Sequence, residues 1–424
     1  MKYFSVISLG CPKNLVDSEK FNSLFIQAGL ENNKNLSLAD IILINTCGFI
    51  NEAKEEAITT ILQTAELKKN NLKKLIVTGC LVKRYKDALQ KEIPEVDVWV
   101  DLKDFDKFLL EIHGSLSSSI NRKILTPKHY AYLRISDGCD NKCSYCTIPS
   151  IRGELKSESI DFLLEEVKQI SSYGAKELII NAQDTTRYGY DISGKPMLID
   201  LLNQIDNLNL FKWIRLLYLH PAHLTETIIK QLAKIKSLVP YFDIPLQHIN
   251  SDILKSMNRK VDSDTILKRL NLLRKVFPDC AIRTTFITGF PGETRQHFNE
   301  LLSFVKDFRF TRLGVFTFSD EEDTVANKLT GKVSKQTAIR RKDRLMEVQQ
   351  DISTKIMSEF IDKTIDVIID KVTNDENYDF EGRSYLDAPD IDGVVYVKGK
   401  TNVGDIVKVK ITDSSDYDLF GIIY

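Results

Sequence analysis

Residues 136–149 read Ser-Asp-Gly-Cys-Asp-Asn-Lys-Cys-Ser-Tyr-Cys-Thr-Ile-Pro, which sets Cys139, Cys143 and Cys146 at a C-x-x-x-C-x-x-C spacing. Three thiolates suit an iron–sulfur cluster held at three of its four irons, leaving the fourth open to a ligand from outside the protein. A structural zinc loop is the alternative, but zinc calls for four ligands, usually as two pairs. No fourth ligand is close: His129 lies ten residues upstream of Cys139, and His220 is far along the chain.

Three further cysteines are scattered. Cys11, Cys47 and Cys80 each end a short apolar run and precede a helical pattern. In a parallel doubly wound sheet all strand C-termini lie along one edge, where ligands bind. The three thiols should therefore converge there, each near a helix N-terminus that favours a thiolate. This gives a second three-cysteine ligand set. Three buried structural thiols are the bland alternative, since cysteine is among the most buried residue types. Cys280, entering a strand from its N-terminal side, reads as a core residue. Seven cysteines is an odd count, and in a reducing compartment they serve as ligands or nucleophiles more often than as disulfides.

The elements that must position these groups follow from length and pattern. A chain of 424 residues, 43% hydrophobic and 28% charged, is expected to form two or three domains. The formal net charge of −1 argues against a generally basic nucleic-acid binder. No run of 18 apolar residues exists, and Ser8-Leu-Gly-Cys11 follows too short an apolar run for a signal peptide, so a cytoplasmic protein is expected. Apolar runs at 3–9, 41–45, 75–78 and 96–100 alternate with helical patterns, predicting a doubly wound parallel sheet over 1–113. A small, polar linker follows over 114–128. Six further strand–helix units over 129–357 predict a partial TIM-like (βα)6 barrel, ending in a long charged helix near 334–360. Residues 358–424 alternate with period two between Gly, Asn and Asp turns, predicting a small all-β barrel of the oligonucleotide-binding kind.

These motifs together resemble the radical S-adenosylmethionine methylthiotransferases over the whole chain. Within that family the chain is most similar to the branch that modifies an aspartate of small-subunit ribosomal protein S-twelve. The residues that carry the resemblance are 8–19 (SLGCPKNLVDSE), 45–50 (NTCGFI), 148–153 (IPSIRG), 182–189 (AQDTTRYG) and 241–248 (YFDIPLQH). One departure is Glu321-Glu-Asp-Thr324, where the family has glycine before the threonine.

The resemblance implies two 4Fe-4S clusters, an auxiliary one on Cys11, Cys47 and Cys80 and a catalytic one on Cys139, Cys143 and Cys146. It also implies S-adenosyl-L-methionine, bound near Tyr145, Gln247, Ile287, Gly289 and Gly292, with His248 either close to the same cavity or a satisfied core histidine, and with 287–293 also readable as a strand-to-helix turn. The catalytic cluster would split this cofactor to a 5′-deoxyadenosyl radical that takes hydrogen from the aspartate β-carbon. The carbon radical would then capture a methylthio group. An electron donor such as flavodoxin or ferredoxin is expected, and the C-terminal barrel would be a TRAM domain.

That barrel bears on the substrate. Residues 361–424 carry fourteen Asp and Glu against seven Lys and Arg, a poor match to phosphates and a better one to a basic protein. Two rivals stand beside this reading: methylthiolation of an adenosine in transfer RNA, and a non-enzymatic RNA-binding iron–sulfur protein.

Overall fold

The computed structural model describes residues 2–104 and 122–424, so most of the expected linker lies outside the described residues. The chain forms two compact units. One comprises Met1–Thr126 with Asp137–Asp140 and Thr147–Glu154; the other comprises Pro127–Ser136, Asn141–Cys146 and Leu155–Tyr424. The C-terminal barrel thus packs with the central sheet, and the cysteine loop is shared out between both units.

In the first unit, strands β1 (Tyr3–Ser8), β2 (Glu31–Asn32), β3 (Ile41–Thr46), β4 (Lys74–Gly79) and β5 (Val98–Trp99) form a parallel sheet, in the order β2-β1-β3-β4-β5. Its central strand, Ile-Ile-Leu-Ile-Asn-Thr, is buried throughout, as a strand covered on both faces must be. Alternate residues feed opposite cores. Ile42 and Ile44 pack with Ala57 and Ile61 of α2 (Asn51–Ala65) and Leu81 of α3 (Cys80–Glu92). Ile41 and Leu43 pack with Phe21 and Phe25 of α1 (Pro12–Gln27). The predicted doubly wound sheet is what forms. The edge strand β2 had no apolar signal, because both its residues are exposed. A short helix, α4 (Ile148–Arg152), also belongs to this unit.

In the second unit, six parallel strands line up in the order β11-β10-β9-β8-β7-β6: β6 (Tyr130–Arg134), β7 (Glu177–Asn181), β8 (Trp213–Leu216), β9 (Leu238–Asp243), β10 (Ala281–Thr288) and β11 (Arg312–Thr317). The connecting helices start where side chains can cap them: Ser159, Thr225, Asp262, Thr294 and Ser334 each accept a hydrogen bond from a first-turn N–H. Where the family carries glycine, Asp323 adopts φ +64°, a conformation aspartate tolerates better than most residues.

The C-terminal barrel closes in the order β12-β13-β14-β16-β15, from Thr364–Val372, Phe380–Arg383, Val395–Lys398, Ile406–Ser414 and Leu419–Ile423 in chain order. Strand β13 escaped the pattern because Phe-Glu-Gly-Arg has one large apolar residue. Its Gly382 is needed, since a Cβ there would lie 2.4 Å from the Ile368 carbonyl oxygen.

Ion pairs fix this barrel to the central sheet. Buried Glu177 bridges Arg215 at 2.7 Å and Arg383 at 2.8 Å, and Asp370 holds both Arg383 and His129. Asp387 pairs with Arg312, and Asp392 with Arg283. Three of the fourteen acidic residues are thus spent internally, and the barrel surface is less acidic than the sequence count implies. Among the described residues, no helix is long and apolar enough to cross a membrane.

Candidate functional site

Strand register brings the scattered cysteines together. Thr46 pairs with Gly79 and Asn45 with Ser8, so Cys47 and Cys80 follow matched positions and Gly10-Cys11 runs alongside. The approach is close enough to require glycines. A Cβ on Gly10, which has φ +88°, would lie 2.6 Å from the Cys47 Cβ. A Cβ on Gly79, at φ +106°, would lie 2.3 Å from the Thr46 carbonyl oxygen.

One side chain ties these strand ends together. Asn14, on the first turns of α1, donates to the carbonyls of Leu9 at 3.0 Å and Thr46 at 3.1 Å. Its Oδ1 lies 3.8 Å from the Cys80 sulfur.

Cys11 caps α1 and Cys80 opens α3, as expected, but the helix ends do not make Cys47 and Cys80 acidic. Burial pushes the Cys47 thiol up. It pushes Cys80 up to about 12, with Arg152 pulling the other way and Cys11 and Cys47 adding to the rise. Three thiols in electrostatic contact at one sheet edge fit a metal group, because a bound cation replaces thiol protons and stabilises the thiolates.

Residues of the 139–146 loop are held within the unit to which each belongs. In the first, the Cys139 N–H donates to the Gly153 carbonyl at 3.1 Å. Gly138 has φ +69°, and a Cβ there would overlap the Glu154 carbonyl oxygen at 2.0 Å. In the second, Ser144 donates from N to Met257 and from Oγ to Ser256, and Asn141 donates to Asp184 at 2.7 Å. Arg259, buried, places Nη1 3.5 Å from the Cys143 sulfur and 3.3 Å from the Tyr145 hydroxyl. A cation aimed at a cysteine sulfur suits a thiolate ligand.

The expected cofactor-contacting residues divide. Tyr145 and Ile287 pack into one apolar group with Ile253, Met257, Phe290 and Ala326. Gln247 has a left-handed backbone, φ 72°, and its carbonyl accepts from the Ile287 N–H at 2.8 Å. Gly289 owes its identity to packing: a Cβ there would lie 2.4 Å from that of Ala338, on the helix Lys335–Ser358. Nothing lies within 4 Å of where a Gly292 Cβ would be. His248 is fully buried; its Nδ1 accepts from the Asn250 N–H at 2.9 Å, and it feels His297 and Arg341 of the outer helices. Its Nε2 is buried and has no hydrogen-bond partner among the described residues.

Sequence reasoning missed Asn14, Arg152 and Arg259, which carry no ligand-type signal of their own. It also missed Asp184, His220 and His223, whose ligand atoms lie within 4.8 Å of one another. His223 Nδ1 is 2.7 Å from Asp184. The Ala222 N–H donates to His220 Nδ1 at 3.2 Å, so the neutral ring carries its proton on Nε2, a buried donor with no partner among the described residues. Asn181, at the end of β7, is likewise buried, and among the described residues neither of its side-chain polar atoms has a partner. Orphaned polar atoms at these strand ends fit a polar cofactor such as S-adenosylmethionine.

Known proteins bear on these arrangements. Residues 3–101 match an uncharacterized protein family, UPF0004; residues 133–305 match the Radical SAM superfamily; residues 361–423 match the TRAM domain. The ribosomal protein uS12 methylthiotransferase RimO of Clostridioides difficile is 44% identical over 98% of this chain and 97% of its own. RimO of Aquifex aeolicus is 42% identical over 98% and 96%. Among solved structures, the radical S-adenosylmethionine methyltransferase TsrM of Kitasatospora setae, with cobalamin and a [4Fe-4S] cluster bound, superposes with a TM-score of 0.55. It covers 75% of each chain at 12% identity, a likeness of fold alone. Near-full-length identity to such relatives, together with a three-cysteine sheet edge, a radical S-adenosylmethionine sheet and a closed TRAM barrel in one chain, makes this protein a member of the RimO family of radical S-adenosylmethionine methylthiotransferases.

Proposed function

We propose that the protein attaches a methylthio group to the β-carbon of an aspartate in ribosomal protein uS12, in the cytoplasm. One cluster would be held by Cys11, Cys47 and Cys80. A second, beside S-adenosylmethionine, would be held by Cys139, Cys143 and Cys146. The observation that carries this reading is the meeting of Cys11, Cys47 and Cys80 at one sheet edge, in a chain that aligns end to end with uS12 methylthiotransferases.

When bound, the clusters and S-adenosylmethionine supply one-electron and group-transfer chemistry. The protein's part is placement. Asn14 holds the strand ends that present Cys11, Cys47 and Cys80. Arg259 holds Cys143 and Tyr145, and the apolar group around Ile253, Met257 and Phe290 packs against Tyr145. Hydrogen abstraction from an unactivated carbon needs no proton relay. The excess of acidic residues over 361–424 supports a basic protein partner, and a flavodoxin or ferredoxin would supply electrons.

Mass spectrometry tests the substrate. uS12 from cells lacking this gene should lose one methylthio group, and the purified protein with reductant should form 5′-deoxyadenosine. Unchanged uS12 together with loss of a methylthio-adenosine from transfer RNA refutes the protein target. Absence of deoxyadenosine refutes the enzyme.

A further inference from the structure

Arg152 lies six residues beyond Cys146, yet its side chain is at the other set of cysteines. Its Nη2 donates to Asn14 Oδ1 at 2.5 Å and to Asp17 Oδ2 at 2.9 Å, and its Nη1 donates to Asp137 Oδ2 at 3.1 Å. The Asn14 oxygen that receives Arg152 is the one 3.8 Å from the Cys80 sulfur. Arg152 is 8% exposed, Asp17 7% and Asn14 not at all. Water therefore screens this guanidinium and the Asp17 carboxylate poorly, while the more exposed Asp137 counts for less. A planar fork that serves an amide and two carboxylates at once also explains why the position holds arginine.

We infer that Arg152 and Asp17 are an opposed pair of tuning charges that sets the reduction potential of a cluster held by Cys11, Cys47 and Cys80. The inference rests on that ligand assignment. Reduction adds one electron, from an external one-electron donor, and makes the site more negative. A fixed cation nearby favours the reduced form and a fixed anion the oxidised form. The two residues therefore act with opposite sign, which a merely structural ion pair would not do.

The test uses the full chain carrying Cys139→Ala, Cys143→Ala and Cys146→Ala, so that iron remaining after reconstitution belongs to the other site. Its potential is read by mediator-equilibrated dithionite titration followed by electron paramagnetic resonance. Arg152→Gln should lower the potential by about 59 mV, a tenfold change in a one-electron equilibrium. Asp17→Asn, which leaves the Arg152 charge less compensated, should raise it, and Arg152→Lys, which keeps the charge, should stay near the parent value. Shifts in the same direction, or none, overturn the inference. Should Arg152→Gln lose its iron, Asp17→Asn decides alone, and no rise overturns the idea. A background that takes up no iron refutes the ligand assignment itself, and the inference with it. A loaded background with an unmoved potential refutes the inference only.

Discussion

Replacing Asn14 with alanine removes a side chain that joins the strand ends of the three-cysteine edge. The magnitude follows from its bonds. The buried Thr46 carbonyl and the part-buried Leu9 carbonyl each lose a donor, and among the described residues no other side chain donates to either. A buried acceptor left without its partner costs about 1–3 kcal/mol. Arg152 loses one acceptor but keeps Asp17 and Asp137, so little is added there. The total is about 2–6 kcal/mol.

Two measurements check it. Urea unfolding followed by circular dichroism should show the first unit losing that stability, and reconstituted iron should fall toward the amount held by Cys139, Cys143 and Cys146. Asn14→Asp should be no better than alanine, because a carboxylate cannot donate to the two carbonyls. A loss below about 1 kcal/mol with full iron uptake would show that the strand ends need no such clasp, and the account of the site would be wrong.

Cys11→Ala should leave 5′-deoxyadenosine formation intact and abolish methylthio transfer, measured on the same samples; transfer that survives makes Cys11 a plain buried thiol. Glu177→Gln leaves Arg215 and Arg383 buried without their shared counter-ion and should cost about 3–5 kcal/mol in thermal unfolding; a change near zero refutes the ion-pair clamp. His248 is held near pKa 3 by burial first, then by His297 and Arg341, against 6.5 when exposed. Below about pH 6.5 the unfolded chain therefore binds one more proton at this residue, and stability falls with pH by up to about 1.4 kcal/mol per unit. His248→Asn, which keeps an acceptor for the Asn250 N–H, should flatten the slope by that amount across urea midpoints at about pH 7, 6 and 5; an unchanged slope refutes the buried-neutral assignment.

Periodicity alone made most of the fold legible. The apolar runs of β1, β3 and β4 and the capped helices of the second unit stand in the sequence because burial on two faces and a free first turn each select residue types. The three-residue and two-residue gaps between Cys139, Cys143 and Cys146 were legible for the same reason, since close-spaced ligands leave a local trace. Strands β2 and β13 left none: one is two exposed residues, and the other is held by its neighbours in a closed barrel.

By itself the sequence determined which residues have metal-binding chemistry and which strand ends carry them. Only tertiary structure decided what surrounds those residues, because burial and charge are set by chain segments far apart. It placed Asn14 across two strand ends and brought Arg152 to Cys80 from seventy-two residues away. It made Cys80 a thiol that resists ionisation where a helix terminus alone suggested the reverse. Three barrel acids became internal partners of Arg383, Arg312 and Arg283. A residue's type is written in the chain, but its dielectric surroundings and neighbours exist only once the chain has folded.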